Sequence, residues 1–463
     1  MRAIKKAILV SIIISLSSCT RTNVLLTSSI DFEKYNSIHK DINIPSSNGQ
    51  EFLVDDELLE ENIINDTFII YNGEITKKML IEETDILYSQ LRSNYGLYYY
   101  FEHEKFMTSR TKIINHIESS VSPPTTNEMI ALYRHVLSFI EDQHFKIEEE
   151  ILHKQKDIYY SVDNYYYQNG TEFFSSESDN KMIENVIVDE QLYEPKEVIK
   201  DVITDDGQIR KQIVYMGNNL PKVSILFASG TSTSIPMIKH DFSVPPACSG
   251  YSKTQIKNVP VICLSRMDLD NNQIRSFNES AKMIGDSEYM IIDLRNNSGG
   301  NSLVLSDWMK LAFGNVGNRF LEVLRLGSYK EFYLDNENSK KLEDLGYELI
   351  NENYYYLKPN TNRIKNDTYI IVLIGRNTIS AAERYVEYLH SVNNVVFVGA
   401  NTGGYFIGNQ QYSLVTKYSN IKFVFGNSLK LFDKEHFREY EGFSPDIYYF
   451  GQANLAQLIV TNS

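Results

Sequence analysis

Apolar residues recur at helical spacing between residues 76 and 150, from Leu80 onward. An apolar position every three or four residues places these side chains on one face of a helix. A helix-capping signal, Thr125 or Thr126 with Glu128 soon after, begins a second segment of the same kind. We therefore predict a helical subdomain over residues 76–150.

The next part of the chain contains short runs in which apolar and polar residues alternate, and such runs are typical of strands. Asn169 and Gly170 lie between two of these runs and predict a β-hairpin. Residues 151–285 are therefore predicted to be a β-rich inserted region.

After residue 286 the pattern changes to short, wholly apolar runs that end at turns and alternate with helical segments. The runs are YMIIDL, YIIVLIG and NVVFVG. Runs of this kind form strands buried on both faces, and their alternation with helices indicates βαβ units. The sequence thus predicts a core over residues 286–463 with a largely parallel sheet.

The first residues have the composition of a targeting segment. Three basic residues precede an apolar stretch that is too short for a stop-transfer helix. The stretch ends in LSSC, which resembles the lipobox of bacterial lipoproteins. On that resemblance residues 1–18 are a signal peptide and Cys19 carries lipid, which implies an exported protein anchored to the cell envelope. A plain signal peptide with a chance cysteine is the alternative. Residues 19–75 are predicted to be a tether followed by irregular structure.

Net charge and cysteine content narrow the function classes. The formal charge of −15 at pH 7 argues against nucleic-acid binding, because phosphate contacts need a basic face. Two cysteines, Cys248 and Cys263, remain besides Cys19. In an exported protein they could form a disulfide or stay as two buried thiols, and their spacing fits no metal motif.

A serine lies where the apolar run YIIVLI gives way to a helical segment. Ser380 would there be near the positive end of the helix dipole, where free N–H groups of the first turn can hold an oxyanion. The small side chains of Ala381 and Ala382 would let a substrate carbonyl approach. The alternative is a capping box of Ser380 and Glu383, which stabilises a helix start without catalysis.

Two further stretches carry candidate chemistry. Gly299 and Gly300 follow a predicted strand in DLRNNSGG, where their N–H groups could complete an oxyanion hole or simply form a tight turn. His144 lies in EDQHF at the end of a predicted helix and is a candidate base, although a single histidine is usually a surface or packing residue. The sequence has neither a dinucleotide fingerprint nor a phosphate loop.

Taken in chain order, these stretches resemble the motifs of the S41 peptidases, the family of C-terminal processing and tricorn proteases. The matching segments are LSFIEDQHF, YMIIDLRNNSGG, IVLIGRNTISAAERYVEYL, VVFVGANTGG and EGFSPDIYY. The resemblance implies an α/β fold with a ClpP/crotonase-like βαβ core. Many relatives hold a PDZ domain before this core, and residues 151–285 contain none that is recognisable. Gln143 and Ser298 stand where relatives usually have glycine.

The resemblance also implies the residues of a site. The processing-protease branch has a lysine base where this sequence has Tyr405, so the Ser–Lys pattern is absent. The tricorn-like branch uses a histidine from the upstream segment, which His144 matches. That branch takes an acid from the stretch before the closing strand, for which Glu439 is the prediction and Glu441 the runner-up.

The function implied by the resemblance is that of a serine endopeptidase acting on peptides or proteins, with no metal or organic cofactor. Ser380 would attack the peptide carbonyl and His144 would take its proton. The N–H groups of Gly299 or Gly300 and of Ala381 would hold the oxyanion. The alternative is a catalytically inactive surface lipoprotein that keeps the S41 fold but binds peptides or other ligands without cleaving them.

Overall fold

The computed structural model describes residues 30–40, 71, 73–162, 164–175, 180–241, 248–360, 362–410, 412–433, 436–451 and 453–461. The predicted signal peptide, Cys19 and most of the predicted tether lie outside these residues. Within the described ranges no helix combines the length and the apolar character that crossing a bilayer requires.

Helices lie mainly near the two ends of the described chain and between the core strands. Their bounds are α1 (Phe32–Lys40), α2 (Lys77–Asn94), α3 (His103–Ser119), α4 (Thr126–Val136), α5 (Pro195–Val198), α6 (Asn271–Ser280), α7 (Leu303–Phe313), α8 (Lys330–Leu334), α9 (Asn336–Asp344), α10 (Ala381–His390) and α11 (Leu455–Thr461).

Strands occur throughout the described chain after residue 146. Their bounds are β1 (Lys146–Ile147), β2 (Glu150–Ile151), β3 (Asp157–Ser161), β4 (Tyr166–Asn169), β5 (Glu172–Ser175), β6 (Met182–Val188), β7 (Gln191–Tyr193), β8 (Ile199–Ile203), β9 (Ile209–Gly217), β10 (Val223–Phe227), β11 (Ser232–Ile235), β12 (Met237–Lys239), β13 (Tyr251–Ile256), β14 (Val259–Leu264), β15 (Tyr289–Asp293), β16 (Leu321–Arg325), β17 (Tyr347–Asn351), β18 (Tyr354–Leu357), β19 (Tyr369–Ile374), β20 (Val395–Gly399), β21 (Tyr412–Val415), β22 (Lys422–Phe425), β23 (Ser428–Leu431), β24 (Phe437–Arg438), β25 (Gly442–Phe443) and β26 (Ile447–Tyr449).

The predicted parallel sheet forms the centre of the molecule. Strands β14, β15, β19, β20, β26 and β8 lie side by side in parallel pairs. Their side chains alternate between two apolar layers, as the pleat requires. Ile292, Val372 and Phe397 face the layer covered by α6, α7 and α10, whereas Ile291 and Ile371 face the layer covered by α1 and α11. Cover on both faces explains why the central strands β15, β19 and β20 are almost wholly apolar in sequence, whereas β8 also contains Lys200 and Asp201.

Helix α1 lies within residues 19–75, which were predicted to be a tether followed by irregular structure. Phe32 and Tyr35, three residues apart, are buried against the sheet, and the Phe32 ring centroid lies 4.6 Å from that of Tyr369. His39 Nε2 lies 3.0 Å from an Asp446 carboxylate oxygen. The prediction of irregular structure is therefore wrong over residues 32–40, because this short segment closes an apolar face that the core leaves open.

The β-rich region is present but is not separate from the core. The predicted hairpin is confirmed, with β4 paired to β5 and Gly170 at φ 60°. Strand β8 pairs with β26, so one sheet runs through both regions. Because β14 pairs with β15 and α6 packs in the same layer, the core begins well before residue 286. Of the two alternatives for Cys248 and Cys263, the structure has the disulfide.

The helical subdomain is also confirmed, and distant strands complete its core. Thr125 is the N-cap of α4 and forms the capping box with Glu128. Strand β22 pairs with β1, and its Phe423 and Phe425 are buried among residues of α2, α3 and α4. The C-terminal part of the chain therefore holds the turn that follows α4, which carries His144, against the core.

Candidate active site

Ser380 occupies a sharp turn at the start of α10. Its backbone has φ 56° and ψ −118°, a region that residues with a Cβ rarely adopt. The ordinary N-cap Thr125 has φ −70° and ψ 162° instead. Such a conformation costs about 1–3 kcal/mol and persists only where the surroundings impose it. Ser380 is therefore more than a helix cap, and its side chain is aimed by a strained turn.

Glu383 connects this turn to the loop that follows β20. Its buried carboxylate accepts hydrogen bonds from the Ser380 N–H at 3.1 Å and the Tyr405 N–H at 2.7 Å. The Gly404 N–H and the Thr402 hydroxyl donate to the other oxygen. Burial raises the pKa of Glu383 to about 7, although these donors oppose the change. The Ser380–Glu383 contact expected of a capping box is thus present, and it also fixes the 402–405 loop.

His144 lies beside Ser380, with 3.2 Å between His144 Nε2 and Ser380 Oγ. The neighbouring Gln143 fixes the turn, because its side-chain amide donates to the carbonyl oxygens of Gly403 and Gly404, both at 3.1 Å. Glutamine at this position therefore links the histidine turn to the same loop that Glu383 holds. The imidazole and the hydroxyl are positioned by two elements that share one loop.

Two carboxylates lie behind the imidazole. Asp142 Oδ1 is 3.6 Å from His144 Nδ1, and its other oxygen accepts a hydrogen bond from the Tyr95 hydroxyl at 2.9 Å. The Glu439 carboxylate accepts from the backbone N–H groups of Gln143, at 3.1 Å, and of Phe406 and Ile407, both at 3.2 Å. Burial and the charge of Asp142 raise the pKa of Glu439 well above its usual range. Ionisation of Glu439 beside the charge of Asp142 is therefore disfavoured.

Asp142, His144 and Glu439 are also the described residues that could hold a metal ion, since one ligand atom of each lies within 4.8 Å of the others. Their hydrogen bonds already direct the carboxylates at backbone N–H groups and at Tyr95. This arrangement suits the orientation of an imidazole better than the binding of an ion, because few carboxylate lone pairs remain for a metal.

Two other residues that the sequence analysis considered for the site, Glu441 and Tyr405, do not act as the acid or the base. Glu441, the runner-up acid, pairs with Lys156 at 2.6 Å. Tyr405 occupies the expected position of a lysine base, and its ring centroid lies 5.8 Å from that of His144. Its phenol is a wall of the cavity beside Ser380 and carries no amine that could act as a base.

The three predicted oxyanion donors surround Ser380 but differ in availability. The Gly299 N–H donates to the Asn297 side chain at 3.0 Å, so it is already used. A Cβ on Gly299, which has φ 85°, would lie 3.0 Å from Ser380 Cβ, so only glycine lets the two turns approach this closely. Among the described residues the N–H groups of Gly300 and Ala381 have no acceptor. The available pair is therefore Gly300 and Ala381.

An open cavity of about 600 Å³ begins at Ser380. Its walls include His144, Tyr405 and the turn with Gly299 and Gly300. Charged side chains line its deeper part, namely Glu322, Arg384 and Lys430. Sequence reasoning missed these residues and Asp142, because a single charged residue gives no local signal of its position in a site.

The comparisons with known proteins agree with this location. Residues 258–449 match the model of Peptidase family S41. This part of the chain, which we call the S41 domain, is therefore similar to Peptidase family S41. The S41 domain includes Ser380, both glycines of the turn, Ala381 and Glu439, whereas His144 lies outside the matched residues. No curated protein matches the chain.

Solved structures with a similar fold include proteases and a lipoprotein. Mature CPAF is 14% identical, with 80% of this chain and 92% of that chain covered and a TM-score of 0.41. The photosystem II D1 C-terminal processing protease is 13% identical, with 81% and 93% covered and a TM-score of 0.34. A lipoprotein from Streptococcus agalactiae is 11% identical, with 84% and 96% covered and a TM-score of 0.36.

Proposed function

We propose that this protein is a serine-type endopeptidase that cleaves peptides or proteins through an acyl-enzyme on Ser380. The observation that carries the proposal is the 3.2 Å separation of His144 Nε2 and Ser380 Oγ at the wall of an open cavity. The S41 domain supports peptidase chemistry independently of that distance.

The reaction follows from these positions. Ser380 Oγ attacks the peptide carbonyl carbon while His144 Nε2 takes the hydroxyl proton. The carbonyl oxygen becomes an oxyanion, which the N–H groups of Gly300 and Ala381 stabilise. The C–N bond then breaks as His144 returns the proton to the leaving amine. Water attacks the resulting ester by the same proton route and releases Ser380.

The acids behind His144 complete the proposed site. An imidazolium forms during each half of the reaction, and a negative charge near Nδ1 stabilises it. Asp142 at 3.6 Å and Glu439 behind it supply that charge. Each oxyanion donor is worth about 3–4 kcal/mol of barrier in serine hydrolases, so Gly300 and Ala381 are expected to contribute strongly to the rate.

We further propose that the protein is exported and held at the cell envelope by lipid on Cys19. The support is the charged start, the short apolar stretch and the LSSC sequence. Helix α1 packs on the core only 13 residues after Cys19, so an anchored chain would hold the peptidase body close to the membrane surface.

The proposed activity is tested with a fluorophosphonate probe and mass spectrometry of the labelled peptide. We expect one adduct, on Ser380, and loss of peptide cleavage by roughly 10³-fold or more in Ser380→Ala. Ser119→Ala, which changes an exposed serine far along the chain, serves as the matched control and keeps labelling and cleavage.

Absence of an adduct from folded wild-type protein, together with equal behaviour of wild type and Ser380→Ala towards a peptide mixture, would refute the activity. The protein would then belong to the class that binds peptides without cleaving them. Peptide binding by fluorescence anisotropy identifies that outcome directly.

A further inference from the structure

The deep part of the Ser380 cavity contains an unusual set of buried charges. Arg384 donates to Glu322 at 2.7 Å and to the Tyr347 hydroxyl at 2.9 Å. Lys430 Nζ lies 3.5 Å from the other Glu322 oxygen and donates to the Gly408 carbonyl at 2.8 Å. The side chains of Arg384, Lys430 and Glu322 are 15%, 7% and 4% exposed, respectively. We call these three residues the charged floor.

The charged floor has more positive than negative charge. Arg384 and Lys430 share the single carboxylate of Glu322. Burial of this carboxylate would raise its pKa, but the two cations outweigh burial and lower the pKa to about 2. Asp142, whose charge also acts on Lys430, does not line the cavity. The cavity is also lined by the half-buried Lys146 and the exposed Asp268, whose opposite charges add no net charge. A net positive charge therefore faces the interior of the cavity.

Arg384 has hydrogen-bonding capacity left over. Its Nε is buried and has no acceptor in the described part of the chain. A guanidinium has five N–H donors, and the bonds to Glu322 and Tyr347 both use the same terminal nitrogen. The Arg384 side chain is nevertheless 15% exposed and lines the cavity, so a ligand oxygen would be bound through its terminal nitrogens.

The charged floor lies within reach of the bond that Ser380 would attack. Arg384 lies in the first turn of α10, where its backbone N–H donates to the Ser380 carbonyl at 3.1 Å, and both residues line the same cavity. The guanidinium is held over the Phe320 ring at 5.1 Å, and Lys430 lies over Phe406 at 5.8 Å. Aromatic support keeps both cations in place, and a side chain next to the scissile bond could reach them.

We propose that the charged floor is a specificity subsite for a carboxylate of the substrate, carried by an acidic side chain next to the scissile bond. The inference rests on the proposed peptidase function and names its substrate class. Both oxygens of a carboxylate accept charge-assisted hydrogen bonds from Arg384 and Lys430. The isosteric amide of glutamine has one neutral acceptor oxygen, and its NH2 group is a donor that these two cations cannot accept from. Acidic peptides are therefore selected against their neutral counterparts.

The test uses pairs of peptides that differ only by Glu or Gln at one of the two residues flanking the scissile bond. We expect kcat/KM for the Glu peptide to exceed that for the Gln peptide by about tenfold or more at one of these positions. Lys430→Met should bring this ratio close to one, because one cation is lost. Glu322→Gln should raise it, because both cations lose their charged partner.

Lys430→Met and Glu322→Gln are expected to change the Glu/Gln ratio of kcat/KM in opposite directions. Damage to the fold would instead lower kcat/KM for both peptides and leave this ratio unchanged. The matched control is Lys341→Met, in which an exposed lysine of α9 is neutralised and the ratio stays at the wild-type value. Equal cleavage of Glu and Gln peptides by wild type, at both positions, would overturn the inference.

Binding to Ser380→Ala protein keeps the two proposals distinguishable. That variant retains the charged floor, so tighter binding of the Glu peptide is expected by anisotropy even when nothing is cleaved. Failure of cleavage with retained preference refutes the peptidase alone, and cleavage without preference refutes the subsite alone. Peptides with a free or amidated C-terminus form a further arm, since selection for the free form alone would assign the carboxylate to the chain end.

Discussion

His144 has a different neighbour at each ring nitrogen. Ser380 Oγ lies 3.2 Å from Nε2, and Asp142 lies 3.6 Å from Nδ1 with Glu439 close behind. Burial and the charge of Asp142 both raise the pKa of Glu439, so removal of Asp142 lowers that pKa and favours the ionised form of Glu439. The two acids therefore form one functional unit, and each can partly replace the other.

This arrangement predicts a specific pattern of mutant kinetics. Asp142→Asn and Glu439→Gln should each lower kcat by roughly tenfold with little change in KM, since neither residue lines the cavity. The double variant should lose about 10³-fold or more, beyond the product of the single effects, because no charge remains behind the imidazole. Steady-state kinetics of the four proteins measures the coupling.

Circular dichroism and urea unfolding of the same four proteins provide the control for folding. Single effects that multiply to give the double effect would contradict a shared charge. An effect on KM alone would place the acids in substrate binding instead.

At the scale of elements, the core is completed by a short N-terminal helix that the sequence analysis did not predict. Helix α1 contributes Phe32 and Tyr35 to the face of the parallel sheet that α11 covers only in part. Polar, Asn- and Ser-rich neighbours conceal this helix in the sequence, because nine residues give too short a window for a helical period to stand out. Its stability comes from the tertiary contact rather than from helix propensity.

If α1 is an integral part of the fold, Phe32→Ala should lower the free energy of unfolding by about 3 kcal/mol, because Phe32 is only 6% exposed. Phe332→Ala is the matched control, since Phe332 is 55% exposed and should change stability little. Urea unfolding of both variants against wild type measures the difference. Equal stability of the two variants would show that α1 is a detachable segment.

At the scale of the whole molecule, the sequence predicts the strands of the central sheet better than the residue at which the core begins. The runs around Ile291, Ile371 and Val396 are wholly apolar, and this pattern follows directly from burial on both faces. Strand β14 is apolar and buried as well, but it pairs with the largely exposed β13 in an antiparallel hairpin at the sheet edge, so only one strand of this hairpin shares that pattern. The predicted boundary at residue 285 was too late for this reason.

The candidate site shows the same division. Ser380 and the glycine turn follow local patterns, and His144 was selected by the family resemblance. The partnership of Asp142 with Glu439 and the charged floor depend on side chains brought together from distant parts of the chain. No local pattern encodes such contacts, so the structure was needed to find them.

The proposed anchor concerns the whole molecule and is tested by metabolic labelling with palmitate. We expect wild-type protein to take up label and to fractionate with membranes, whereas Cys19→Ser remains unlabelled and is recovered in the soluble fraction. Cys248→Ser serves as the control and keeps the label, because its sulfur belongs to the disulfide with Cys263. Unlabelled wild-type protein in the soluble fraction would exclude the anchor.

The pairing of β1 with β22 has a consequence for the timing of protein synthesis. A ribosome makes the histidine turn early and the strand that braces it almost three hundred codons later. Any nascent or prematurely terminated polypeptide lacking that strand has an unbraced imidazole, and most such fragments also lack the serine. The proposed hydrolytic activity would therefore arise only after β22 has been translated, so shorter nascent chains are expected to be inactive.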